Sequence, residues 1–191
     1  MTLEIVQAGN PVLRMVAREM SIDEIRSPVT QQLMREMRDT MRAAPGVGLA
    51  APQIGKALQL AVIEDRAEYL EDVSSEQLAK LQRAPVDFHV IINPKLTIIG
   101  DTTVDFFEGC LSVAGFGAVV SRSLSVRVEC LNERAEALTI DATGWHARIL
   151  QHEIDHLNGT LYIDRMQTRS FTTAENAERF IRQTENTEPS S

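Results

Sequence analysis

The sequence predicts an α+β domain, with β-rich stretches and a few helices segregated along the chain. Three observations support this. Val119–Leu131 alternates, with Val126, Val128 and Cys130 set against Arg127 and Glu129, and Asn132-Glu133-Arg134 turns it into a partner strand at Ala137–Ile140. Two helical patterns, one from Ser27-Pro28 to about Ala43 and one from Gly144 to about Leu157, have clear boundaries. No repeat or long linker separates these pieces, and 191 residues is the length of one domain. A chain of this size buries roughly 70% of its extended surface, so no covalent staple is needed. No run approaches the ~18 apolar residues of a membrane helix.

In chain order, Asn10-Pro11 starts a first helix, with Asn as cap and Pro in the first turn. Ser27-Pro28 repeats that signature; Leu33, Met37 and Met41 then mark one buried face, and Pro45-Gly46 stops the helix. A glycine-rich loop, Gly46 to Gly55, leads into an apolar strand around Leu58–Ile63. Residues 65–85 are polar, with a short helical pattern at Glu76–Leu81, and read as a surface insertion. Val90–Asn93 and Lys95–Ile99 read as strands broken at Asn93-Pro94. After Phe171 a polar amphipathic helix fades into a frayed tail, so the expected organisation is a domain over 1–172 and an appendage over 173–191.

Charge excludes some functions. Nineteen basic residues against 27 acidic ones give a net charge of −8. Phosphate binding needs a cationic surface, so a nucleic-acid binder is disfavoured. The first residues, Met1-Thr-Leu-Glu-Ile, lack a basic head and an apolar stretch, which predicts no secretory signal and a protein that stays where it is made. Cys110 and Cys130 are then expected as reduced thiols or metal ligands.

The strongest chemical signal is His152-Glu153-Ile154-Asp155-His156. Residues four apart on a helix stand one turn apart on one face, so two imidazoles can hold one metal ion while Glu153 reaches a water beside it. A third ligand is needed. The H-x-x-G-x-x-H continuation of one peptidase class meets Gly159 but then Tyr162, where the histidine should stand. Glu175 and Glu178 would serve a glutamate-ligand peptidase but lie in the polar C-terminal segment. His89, in an apolar strand, and His146, on another helix face, read as structural. Cys110 is the best remaining candidate, in Phe106-Phe107-Glu108-Gly109-Cys110-Leu111-Ser112, where a strand meets a glycine turn. Cys130 reads as a small buried apolar residue. A Cys/His/His set suits Zn²⁺ or Fe²⁺. Gly46-Val-Gly-Leu-Ala-Ala-Pro-Gln53 imitates a dinucleotide fingerprint, but it follows a helix and Pro45 where the fingerprint needs a strand. Glycines that admit a ligand's backbone, followed by a glutamine amide able to donate, fit it better.

Together and in this order, Gly46–Gln53, Glu108–Ser112 and Gln151–His156 resemble the peptide deformylases over residues 1 to about 170. Gly115-Phe116-Gly117, Gly144-Trp145 and Arg165–Thr172 look like the subclass found in organelles and some bacteria. The resemblance implies antiparallel sheets packed around a central metal-binding helix. It implies removal of the formyl group from the N-terminal formyl-methionine of nascent chains. Cys110, His152 and His156 would bind the metal, usually Fe²⁺, with Zn²⁺, Ni²⁺ or Co²⁺ substituting. Glu153 would act as general base and acid. Gln53 and the backbone N–H of Leu111 would stabilise the formyl oxygen, and Gly48 would bond the substrate backbone. Trp145 and Ile149, on the helix face of His152, would line a methionine pocket closed by Val47, Phe106 and Glu108. Glu108 and Asp155 would support the ligands, with Arg122 paired to one of them. A bacterial cytoplasmic chain is expected ahead of a mature organellar form, near ribosomes but without RNA docking through the tail, where residues 174–191 carry four glutamates against two arginines. No membrane contact is expected; whether the chain forms a homodimer stays open. Two rival classes share the metal helix: a peptidase, disfavoured by Tyr162 and by chain length, and a binding module without turnover, disfavoured because Glu153, Gln53 and Cys110 are all present.

Overall fold

Strand Leu60–Asp65 is buried at all six positions, and its two faces show how the layers are arranged. Leu60 and Val62 point into a cluster with Met34, Met37 and Met41, whereas Ala61 and Ile63 point into a second cluster with Ala147, Leu150 and Ile154. Covered on both sides from Leu60 to Ile63, the strand shows a continuous apolar run there without alternation. The computed structural model describes residues 2–177 and 179. Among the described residues six strands form one antiparallel network: β1 (Gly48–Ala50), β2 (Leu60–Asp65), β3 (Val86–Gly109), β4 (Phe116–Leu131), β5 (Ala137–Thr143) and β6 (Thr172–Thr173). They pair in the order β1-β2-β3-β4-β5, with β6 beside β4.

The strands are accompanied by the α-helices α1 (Ile22–Arg26), α2 (Pro28–Ala43), α3 (Ser75–Leu81) and α4 (Gly144–Leu157). The Ser27 hydroxyl caps α2 by accepting from Thr30 N–H, and Pro28 occupies its first turn, as the sequence signature requires. The central helix is α4. From Ala147 to Leu157 every residue is buried except His152, which is half-buried.

Several elements differ from the sequence expectation. Asn10-Pro11 does cap a helical turn, but Pro11–Arg14 is a single 3₁₀ turn with one buried residue, Leu13, too little apolar surface to extend it. α1, capped by Ser21, escaped notice because five residues carry no readable period. Asn93-Pro94 does not break the chain into two strands: β3 runs through it for 24 residues. The register shifts between Ile92 and Lys95, and Asn93 adopts φ 51°. Pro94 lacks an N–H to pair, and the bulge leaves it none to miss. The Asn93 amide accepts from Met20 N–H at 2.9 Å and donates to Met20 O at 2.9 Å, pinning the bulge to the segment before α1.

Residues 65–85 are more than a surface insertion. Arg83 makes a bidentate pair with fully buried Asp65 at 2.7 and 2.8 Å, and its guanidinium lies 5.1 Å from the Trp145 ring centroid. The segment also closes on the start of α4, where a Cβ on Gly144 would meet Gln82 Cβ at 2.5 Å. At the other end, β6 pairs with Phe116 and Gly117. The polar helix and tail expected over 173–191 lie largely outside the described residues. Among the described residues no helix is long and apolar enough to cross a membrane.

Candidate active site

The end of β3 and one face of α4 bring three soft or borderline donors together. Ligand atoms of Cys110, His152 and His156 all lie within 4.8 Å of one another, and Cys110 Sγ is 3.3 Å from His156 Nε2. Metal–ligand bonds of about 2.0–2.3 Å place tetrahedral donors about 3.5 Å apart, so the group has the right size for one divalent ion. The ring orientations fit too. His152 Nδ1 lies 3.0 Å from Glu108 Oε2, which leaves Nε2 for a metal, and a carboxylate behind a histidine is the usual way such a ring is held. Burial holds His156 well below the ordinary imidazole value, so it stays neutral and keeps a lone pair.

Behind these donors sits a buried ionic network. Glu108 accepts from Arg122 Nε and Nη2, both at 2.9 Å, and from Arg148 Nη1 at 2.6 Å. Burial alone would raise the Glu108 carboxyl; the hydrogen bonds from Arg122 and His152 overcome it and hold the group far below the usual carboxylate range. Arg122 also donates to Asp155, which is clamped from its other side by Arg165 at 2.7 Å through two nitrogens. Arg122 therefore serves both Glu108 and Asp155, the choice the sequence left open.

Glu153 points the other way, against β1. A Cβ built on Gly48 would stand 2.2 Å from Glu153 Oε1 and 2.5 Å from its Cδ, so the carboxylate occupies the space that any side chain at 48 would take. Among the described residues Glu153 Oε2 is buried without a hydrogen-bond partner, and burial pushes the carboxyl up to about 7. A group so placed can take and return a proton near neutrality.

Gln53 follows β1 in a 3₁₀ turn and is 1% exposed. Its Oε1 accepts from Ala50 N–H at 2.8 Å, which fixes the flip of the amide. Nε2 is thereby aimed at the Cys110 side, 3.5 Å from Sγ and 3.3 Å from Ser112 Oγ. Across the site, Val113 N–H donates to Cys110 O at 3.0 Å; in a trans peptide this fixes the plane that carries the Leu111 N–H.

Val47, Gly48, Gln53, Glu108, Cys110, Leu111, Trp145, Ile149, His152 and Glu153 line a single cavity of about 520 Å³. His156 lies beneath it, 1% exposed. Phe106 does not line the cavity; it packs with its ring centroid 5.2 Å from the Arg148 guanidinium carbon. Arg148, Phe116 and Ala174 line it without having been foreseen. Arg148 was legible in principle, as a cationic side chain one turn before His152 on the same helix face. Gln7 was not: its side chain donates to Leu111 O at 3.0 Å and accepts from Ala114 N–H at 3.2 Å, a clamp 104 residues away in sequence.

The other candidates fall elsewhere. Tyr162 is buried with its ring stacked 6.5 Å from His152, filling the place of a third histidine with packing. His89 and His146 meet edge to face at 5.4 Å, and burial followed by the neighbouring His89 pushes His146 down to about 4. Cys130 is buried on β4, with its thiol pushed up to about 11 by burial. Glu175 is exposed and outside the donor group, and Glu178 lies outside the described residues.

A family model for polypeptide deformylase matches residues 2–171. The chain is 51% identical to a chloroplastic peptide deformylase 1A of Solanum lycopersicum over 173 residues, covering 91% of this chain but 62% of that protein. The chain thus spans less than two thirds of that plant relative. It is 46% identical to peptide deformylase 3 of Streptomyces avermitilis, covering 91% of this chain and 75% of that one. Among solved structures, a Met-Ala-Ser-bound class I type b peptide deformylase from Acinetobacter baumannii superimposes with a TM-score of 0.77 at 29% identity, covering 87% and 99% of the two chains.

Proposed function

Because the chain belongs to the polypeptide deformylase family, with plant organellar proteins of type 1A among its relatives, we propose that it removes the formyl group from N-formyl-methionyl nascent peptides. The observation that supports this most directly is the meeting, in one cavity, of a Cys/His/His donor set, a buried carboxylate and an aimed amide. Cys110, His152 and His156 would hold the ion, which we take to be Fe²⁺, with Zn²⁺, Ni²⁺ or Co²⁺ able to substitute. Bound there, such an ion supplies Lewis acidity, which acidifies water and polarises a carbonyl.

The chain's own residues do the rest. The free edge of β1 offers the backbone of Gly48 to an extended peptide, which adds as a strand beside it. Trp145, Ile149 and Val47 receive the methionine side chain in the apolar part of the cavity. Glu153 takes the proton of the attacking water and delivers it to the departing amine nitrogen. Gln53 Nε2 and the Leu111 N–H meet the negative charge that develops on the formyl oxygen; both are fixed in place beforehand, so little reorganisation is needed. In this reading residues 1–172 form the catalytic domain, and it works in the bacterial cytoplasm close to ribosomes.

A short formyl-Met peptide offered beside its unformylated twin tests the activity. Formate from the first, with no cleavage of internal bonds in either, is the expected result; internal cleavage would favour the peptidase class instead. The donor set is tested by metal content after anaerobic purification. Cys110→Ala should lose the ion, while Cys130→Ala should keep it. Tight metal and full turnover in Cys110→Ala would overturn the Cys/His/His assignment. Gly48→Ala should leave metal content near that of the wild type, yet lower kcat by about 10²-fold, because the new methyl displaces Glu153 by roughly an ångström. Turnover close to wild type would show that Glu153 works from another position.

A further inference from the structure

The two donors assigned to the formyl oxygen stand on different elements, and one short segment near the start of the chain ties those elements together. Val6 N–H donates to Gln53 O at 2.9 Å, and Ala8 N–H donates to Ser112 O at 2.7 Å. Between them, the Gln7 amide donates to Leu111 O at 3.0 Å and to Ile5 O at 3.3 Å, and accepts from Ala114 N–H at 3.2 Å. An amide suits this place because it donates and accepts at once, as a peptide unit does. The segment is itself anchored: Leu3 N–H donates to Thr40 Oγ1 at 2.8 Å, and Leu3 and Ile5 pack against the apolar cluster of α2.

Through Leu111 O this strap reaches the turn that carries the chemistry. The bond from Val113 fixes the peptide before Leu111 and Gln7 fixes the peptide after it, so both planes flanking the residue are held. In the trans peptide the Ser112 N–H points away from Leu111 O, and it donates to Cys110 Sγ at 3.4 Å. The direct tie between the two elements, from Gln53 Nε2 to Ser112 Oγ at 3.3 Å, runs through the same amide that would serve the formyl oxygen. Residues 6–8 hold the elements by atoms that take no part in the reaction. We propose that Gln7 is a positioning residue: with the backbone of Val6 and Ala8, it sets the spacing between the Gln53 amide and the Leu111 N–H, and so their joint fit to the formyl oxygen. This rests on the deformylase reading. Losing an oxyanion donor outright costs about 10²–10³-fold in kcat, and misaligning one costs less.

The test compares Gln7→Met, which keeps the length of the side chain but removes the amide, with Gln7→Ala and the wild type. Both variants should lower kcat for a short formyl-Met peptide by about tenfold, with KM within about twofold and metal content near the wild-type value. Hydrogen exchange of the metal-free proteins gives a readout independent of turnover: the Ser112 and Ala114 amides should exchange faster, while those of α4 stay as protected as before. Gln7→Glu keeps an acceptor for Ala114 N–H but cannot donate to Leu111 O, and should fall as far as Gln7→Met. Wild-type kcat in Gln7→Met or in Gln7→Glu would overturn the positioning role. A fall in kcat matched by an equal loss of metal, or joined by a large rise in KM, would mark general loosening and overturn it too. Formate from none of the proteins, the wild type included, would overturn the deformylase reading and this role with it.

Discussion

Glu153→Gln is expected to retain close to one metal ion per chain while formate release falls by at least ~10²-fold, the usual lower range for losing a general acid–base group. Glutamine keeps the shape that fits against Gly48 but cannot accept the proton. Loss of metal in this variant would make Glu153 a ligand and would sink its assigned role. A second, independent readout is the stability of the metal-free proteins against pH. Burial pushes the Glu153 carboxyl up to about 7 from 4.5, so the native state keeps a proton that the unfolded chain has released. Stability from this group is fully present below about pH 4.5 and is lost as pH rises through about 7, a loss of about 3 kcal/mol. Metal-free Glu153→Gln should therefore melt above metal-free wild type at pH 8, and the two should converge near pH 4. Parallel melting curves at both pH values would show that Glu153 is not desolvated as described.

Glu108→Ala is expected to have the largest effect on stability. It strips the shared acceptor from two arginines that are 4% and 3% exposed and from His152 Nδ1. Arg122 retains Asp155, but Arg148 is left with the carbonyls of Val120 and Val104 and the Phe106 ring, none of them a counter-charge. Removing one member of a buried ionic set costs about 3–5 kcal/mol, and metal affinity should fall about 10–100-fold as the His152 ring loses its orienting partner. For a chain of this length that is a fall in Tm of about 10 °C. Calorimetry of the metal-free protein together with a metal competition titration would check both. A change of less than about 1 kcal/mol would mean that the arginines find other acceptors.

The parts of the molecule that could be read from sequence are those governed by local rules. α2 begins where Ser27-Pro28 places it, and α4 spans Gly144–Leu157 as expected, because caps, proline and glycine act within a few residues of themselves. The ligand pair His152 and His156 is fixed by helix geometry alone. Cys110 needed elimination among the other candidates, and the resemblance supplied Gly48, Val47 and Leu111. What escaped depends on distant partners. Nothing near Asn93-Pro94 says that Met20 will satisfy the Asn93 amide and turn an apparent break into a bulge. Gln7 reads as an ordinary polar residue until the fold sets it between Leu111 and Ala114. Phe106 faces Arg148 because the ionic network draws that arginine across β3, a preference that no periodicity encodes.

Arg122 binds both Glu108, which holds Arg148 and His152, and Asp155, so buried ion pairs engage three positions on one face of α4, and Arg165 grips Asp155 as well. A helix face held at three positions in this way cannot slide along the sheet without breaking buried charge pairs. One donor of the Cys/His/His set, His152, is thus oriented when the chain folds, through a contact that does not involve an ion. Stripping an ion from this site is therefore expected to leave α4 in place, in contrast to small zinc modules that collapse when stripped.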